Sequence, residues 1–321
     1  MKKEILLTGE NLNLDKKFFS KIGINYLIFA VAAIIIQIIV LNILQLANSD
    51  LIYSYNGLTI ISAICNYILP FPILIYLMKK LESERLEKHP LSIKTFVMYI
   101  AVSFTLMWIG NIIGLVITEL ISFATPMDVS NPVQELLNST DLWINLSIIS
   151  IIGPIFEEFF FRKLLIDRTI KYGARVSILL SALMFGLFHG NLSQFFYAFL
   201  IGGFFAYVYI KTGKLIYSIL LHIIINFMGS VVSLFVVKSV ESMTSGTIIA
   251  TDIIVVAGYL LIMLASFLIG IITLSKYKKA SLDHIKTKIT LEQPFKTVIL
   301  NYGMVLFIGF CIFEIIYQIM A

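Results

Sequence analysis

Glu157 and Glu158 stand side by side in an apolar stretch, and Arg162 follows four residues after Glu158. On a helix, Glu158 and Arg162 share a face at i, i+4 and can pair. Glu157 points about 100° away, and its own i+4 neighbour is the apolar Phe161. One carboxylate is neutralised locally and the other is left available for proton transfer. Two further groups have the same character. His189 closes the run Phe185-Gly186-Leu187-Phe188-His189, and His222 lies four residues before Asn226, on one helical face.

Each group also has an ordinary reading. The glutamates could reach the cytoplasmic interface beside Arg162 and Lys163. His189 could be a buried histidine bonded to a carbonyl. His222 and Asn226 could hydrogen-bond between helices, as membrane bundles often do. Their joint occurrence points to a site instead. The chain holds only four histidines, and two fall in apolar runs that can converge on the glutamate pair. His89 and His284 lie in charged loops and read as solvated. Ionisable groups inside membrane helices are costly and mark function by default. Glu119, Asp252 and Glu314 are also intramembrane, but isolated.

The elements that position these residues are apolar helices. Of 321 residues, 59% are hydrophobic and 13% charged, about half the charge of a soluble domain. Apolar runs long enough to cross a bilayer occur at 23–47, 58–78, 95–124, 142–161, 176–193, 194–210, 215–237, 248–274 and 297–319. The first is too long for a signal-peptide core and lacks an A-x-A site, so it reads as a retained helix. Threading nine spans with alternating sides places all of the 24 Lys and Arg except Lys238 on one side. The positive-inside rule makes that side cytoplasmic. The expected fold is an all-α integral membrane bundle of about nine transmembrane helices, N-terminus cytoplasmic and C-terminus outside. The net charge of +5 then sets orientation, and no nucleic-acid partner is expected. Cys65 and Cys311 lie in apolar runs without metal or redox spacing.

Three segments follow: 1–141 with three spans, 142–237 with the four core spans, and 238–321 with two. The turn between spans four and five is expected at Tyr172-Gly173-Ala174, since glycine favours helix ends. Glu157 lies 16 residues before Gly173 and His189 lies 16 after it. In an antiparallel hairpin they sit level, roughly 20 Å from its tip. His222 and Asn226 enter from the same side at similar depth. Gly202-Gly203 in span six suits close helix packing.

E-E-x-x-x-R, F-x-x-x-H and H-x-x-x-N on successive membrane helices resemble the CPBP intramembrane proteases. These include the type II CAAX prenyl endopeptidases and the Abi-like bacterial proteins linked to bacteriocin processing and self-immunity. Thr212-Gly213-Lys214-Leu215 also resembles the family's approach to the last histidine, and the likeness spans about residues 145–229. Lys163 stands where the family often has glycine. The resemblance implies that Glu157 activates water with help from His189, that His222 and Asn226 stabilise the oxyanion, and that Glu158 and Arg162 shape the site.

No cofactor is favoured. Glu157, His189 and His222 would also make a catalytic zinc set, and members of the family have been described as metalloproteases. The compact H-E-x-x-H signature is absent from this sequence. The expected activity is an intramembrane endopeptidase acting on a prenylated, leader-type or otherwise membrane-associated peptide or protein, which enters from the membrane or cytoplasmic side. The expected location is the cell membrane, and usage of Ile, Lys and Asn suggests a bacterial one. A non-proteolytic immunity or scaffold protein of the same fold is the alternative. A proton-coupled transporter is a third reading, without the internal repeats common in transporters.

Overall fold

The computed structural model describes residues 2–124, 132–246, 248–276, 282 and 287–320, with side chains from residue 12 in the first helix and from 135 in the short helix Pro132–Ser139. The loop histidine His284 and the basic residues Lys278, Lys279 and Lys286 lie outside them.

Among the described residues the fold is all-helical, with eight helices long and apolar enough to cross a membrane. We number the bundle α1 (Leu12–Leu46, within the helix Lys2–Leu46), α2 (Tyr55–Lys79), α3 (Ile93–Ala124), α4 (Leu142–Tyr172), α5 (Ala174–Phe188), α6 (Leu192–Thr212), α7 (Leu215–Thr244), α8 (Ala250–Lys276) and α9 (Tyr302–Met320). It is a multi-pass membrane protein. The fifth expected span, α5, has only 15 residues, about 22 Å of helix. It is shorter than a full crossing because it ends at His189, which caps it from outside the helix rather than lying within it.

Other boundaries shift for identifiable reasons. Helix α4 continues past Phe161 to Tyr172 because the charges that suggested a loop are satisfied within the bundle. Arg162 faces Glu158, Lys163 pairs with Asp167, and Arg168 Nε donates to the Met78 carbonyl at 2.6 Å. The last span begins at Tyr302, preceded by a separate short helix, Pro294–Val298.

The hairpin turn falls where glycine predicts it. Gly173, at φ 98°, separates the end of α4 from the start of α5. The basic segments also gather at one end of the bundle. Backbone bonds join Glu84 to Asp167, His89 to Thr212, and Lys288 to Lys171, and Tyr172 bonds Asp15 at 2.8 Å. At the opposite end, Asn56 and Tyr55 bond Asp141 and Glu135. This shared end is what the alternating thread of charges requires.

Packing of α5 on α6 depends on Gly202. A Cβ there would lie 2.7 Å from Cδ1 of Phe185, whose ring covers Arg162 at 4.4 Å. Small residues at this contact let an aromatic ring, rather than backbone alone, fill the space beside the site.

Candidate active site

Three helices carry local π-helical turns where they meet. They lie at Ile64–Ile68 in α2, at Asn145–Ile152 and Phe159–Leu164 on either side of the glutamates in α4, and at Met228–Val232 just beyond Asn226 in α7. Such wider turns re-aim side chains and are frequent at functional sites. They also free backbone carbonyls, which inside a membrane must find other donors.

Pro154 shows how this is met. In the wider turn the amide of Gly153 reaches back five residues to Ile148. The next residue would bond Ile149 in the same way, but proline has no N–H. Asn226 Nδ2 supplies the missing donor to the Ile149 carbonyl at 3.0 Å. Ser150 and Ser230 add a 2.7 Å contact between the same helices. Around the second wide turn, Tyr26 donates to the Phe160 carbonyl at 2.6 Å and Ser181 to that of Phe161 at 2.8 Å. Asn226 therefore ties α7 to α4 and holds one amide hydrogen in reserve. Asn226→Ala is expected to orphan the carbonyl and destabilise the protein by about 1–3 kcal/mol, read as a lowered thermal midpoint in detergent.

Glu158 and Arg162 are fully buried and in contact, Nε to Oε2 at 3.0 Å. The guanidinium N–H groups find no aligned acceptor, so the contact is a charge pair rather than a hydrogen bond. The other Glu158 oxygen, Oε1, meets His222 Nδ1 at 3.0 Å. On the far edge of the same ring, His222 Nε2 lies 3.6 Å from Glu157 Oε2. Glu157 receives a 2.6 Å hydrogen bond from the Tyr67 hydroxyl on α2, and its side chain keeps 17% exposure. His189 fixes its tautomer by a 2.8 Å contact from Nδ1 to the Phe185 carbonyl. That leaves Nε2 as the free lone pair.

The residues singled out in the sequence thus come together. Glu157 and His189 line two cavities at once, of about 450 and 550 Å³. The first also takes in His222, Asn226, Gln194 and Tyr197, and the second opens toward α1 and α9. Lys163 lines neither cavity and pairs with Asp167, so its departure from the family's glycine lies off the site.

Residues 139–228 match the family model described as type II CAAX prenyl endopeptidase Rce1-like. This stretch is similar to the Rce1-like family. The match covers a little over a quarter of the 321 residues and includes Glu157, Glu158, Arg162, His189, His222 and Asn226. The family so described is one of CAAX-type prenyl endopeptidases. No curated protein and no solved structure matches the chain.

Of the cavity residues outside the matched segment, Tyr67 and Glu314 carry groups that the sequence does not connect with the site. Tyr67 has no sequence signal beyond being a tyrosine in an apolar run. Glu314 was visible as an intramembrane carboxylate, but nothing in the sequence connects α9 with His189. Asp252, also read as isolated, accepts from the Ile249 amide at 3.4 Å at the start of α8.

Among the described residues, no three His, Cys, Asp or Glu side chains form a metal-ligand set. Both ring nitrogens of His222 face carboxylates, Nδ1 toward Glu158 and Nε2 toward Glu157.

Proposed function

We propose that this protein is an intramembrane endopeptidase in which Glu157 activates water. The observation that carries this reading is that Glu157 and His189, the latter with a free Nε2, border the same two cavities. A water between them gives one proton to the Glu157 carboxylate while His189 Nε2 holds it in place. The resulting hydroxide adds to the peptide carbonyl carbon, and negative charge moves to the carbonyl oxygen. Collapse of that adduct breaks the C–N bond, and the proton on Glu157 passes to the departing amine.

Oxyanion stabilisation falls to His222 and the second amide hydrogen of Asn226. His222 stands between the two carboxylates, Nδ1 toward Glu158 and Nε2 toward Glu157, which turns its Nε2 edge to the reacting atoms. Fixed donors in a site of low polarity stabilise developing charge strongly. Tyr67 holds the Glu157 carboxylate in position, so Tyr67→Phe is expected to lower kcat about tenfold with little change in KM, read on any cleaved reporter peptide.

The basic end of the bundle is taken as cytoplasmic, which places both termini as the charge bias indicates. A bacterial plasma membrane and a peptide precursor or leader fragment as substrate follow from composition and the resemblance. The test uses purified protein in lipid nanodiscs with a library of quenched-fluorescent membrane peptides. Cleavage that persists after exhaustive treatment with a zinc chelator supports a glutamate base. Activity lost with chelator and restored by zinc would replace that mechanism with a metal one.

A further inference from the structure

Helices α1 and α9 lie outside the matched segment and run parallel beside it. At the basic end their backbones touch. A Cβ on Gly23 would lie 2.4 Å from the carbonyl carbon of Gly303, and the Gly303 amide donates to Ser20 Oγ at 2.9 Å. Glycine makes that approach possible. Eleven residues further along each helix, about 16 Å by the helix rise, Ile34 and Glu314 border an opening instead of a contact.

There, Ile34, Gln37, Ile38 and Leu41 of α1 face Phe313, Glu314 and Tyr317 of α9 across a cavity of about 430 Å³. Ile38, Phe313 and Tyr317 are each more than half exposed, and at this level of two apolar helices the surroundings are lipid. The cavity shares Ile34, Glu314 and Tyr317 with the second site cavity, which ends on Glu157 and His189. The two helices are clamped at the basic end by the glycine contact and, farther along, border a cavity that runs on to the site.

Glu314 stands at the junction. It makes no hydrogen bond or ion pair among the described residues, and no Lys or Arg lines either cavity. Its Cβ is 3.6 Å from where a side chain on Gly190 would begin, one residue past His189. An unpaired carboxylate at this depth is costly unless a partner arrives to meet it.

Building on the endopeptidase reading, we propose that the opening between α1 and α9 admits an apolar segment of a membrane-embedded peptide from the lipid, and that Glu314 binds a basic side chain of that segment. The carboxylate then sets which peptide bond lies against Glu157. It is a specificity determinant supplied by a helix beyond the matched segment.

Binding tests this without requiring cleavage. The Glu157→Gln protein in phosphatidylcholine nanodiscs is titrated with a fluorescent polyleucine peptide carrying one central lysine, and with twins carrying glutamine or glutamate there. The lysine peptide is expected to bind about tenfold more tightly than the glutamine twin, equivalent to about 1.4 kcal/mol, and adding Glu314→Gln removes the difference. Ile34→Trp, which fills the narrowing between the two cavities, is expected to weaken the lysine peptide about tenfold. Equal affinity for the lysine and glutamine peptides, or discrimination that survives Glu314→Gln, overturns the role of Glu314. Unchanged binding to Ile34→Trp overturns the route. A wild-type protein that cleaves nothing would count against the endopeptidase reading alone, because these titrations do not depend on turnover.

Discussion

Glu157→Ala is expected to lower peptide cleavage by about 10²–10⁴-fold, the usual worth of a positioned general base, while the protein still inserts and folds. The asymmetry follows from what Glu157 touches. Its contacts are the Tyr67 hydroxyl at 2.6 Å and the His222 ring edge at 3.6 Å, and it lines the two cavities. Losing it forfeits one hydrogen bond, worth about 1 kcal/mol, and opens space that is already wide. Glu157→Asp retains the charge but withdraws it by one methylene, away from Tyr67. Its activity should fall between wild type and alanine. Cleavage rates and thermal midpoints measured on the same preparations check both halves of the expectation.

The neighbouring carboxylate should behave in the opposite way. Glu158→Ala is expected to destabilise the fold by about 3–5 kcal/mol, the cost of leaving a buried charge unpaired. Arg162 would lose its counter-charge in a box closed by Phe185 and Phe205, and His222 Nδ1 would lose its 3.0 Å partner. The double variant Glu158→Gln with Arg162→Met removes both charges and should recover much of that stability. It should not recover cleavage, because His222 would no longer be held against Glu157. Thermal unfolding and expression level separate the two glutamates even before a substrate is found. On the proposed mechanism, two adjacent residues of one type divide into a reacting group and a structural one, according to which helix face each occupies.

That division was legible from spacing alone, because a four-residue separation places Glu158 beside Arg162 and leaves Glu157 beside Phe161. The hairpin turn at Gly173 was legible as well, since its positive φ favours glycine, and equal spacing on either side predicts Glu157 and His189 at one level. The full length of α4 was hidden because charge in a sequence signals solvent, whereas Lys163 and Arg168 find partners inside the bundle. The part of Asn226 in satisfying the Ile149 carbonyl was hidden because a π-helical turn has no sequence signature. Tyr67 and Glu314 belong to helices 90 and 157 residues from Glu157 in the chain. Only packing brings them to the site, and no local pattern encodes it.

The most direct measurement compares the membrane peptidome of cells expressing the wild-type protein with that of cells expressing equal amounts of Glu157→Ala. A defined set of peptide ends should be present with the former and missing with the latter, with the same set missing for His189→Ala. Identical peptidomes at matched protein levels, or undiminished fragments in the alanine cells, would contradict a glutamate-activated water as the agent of catalysis.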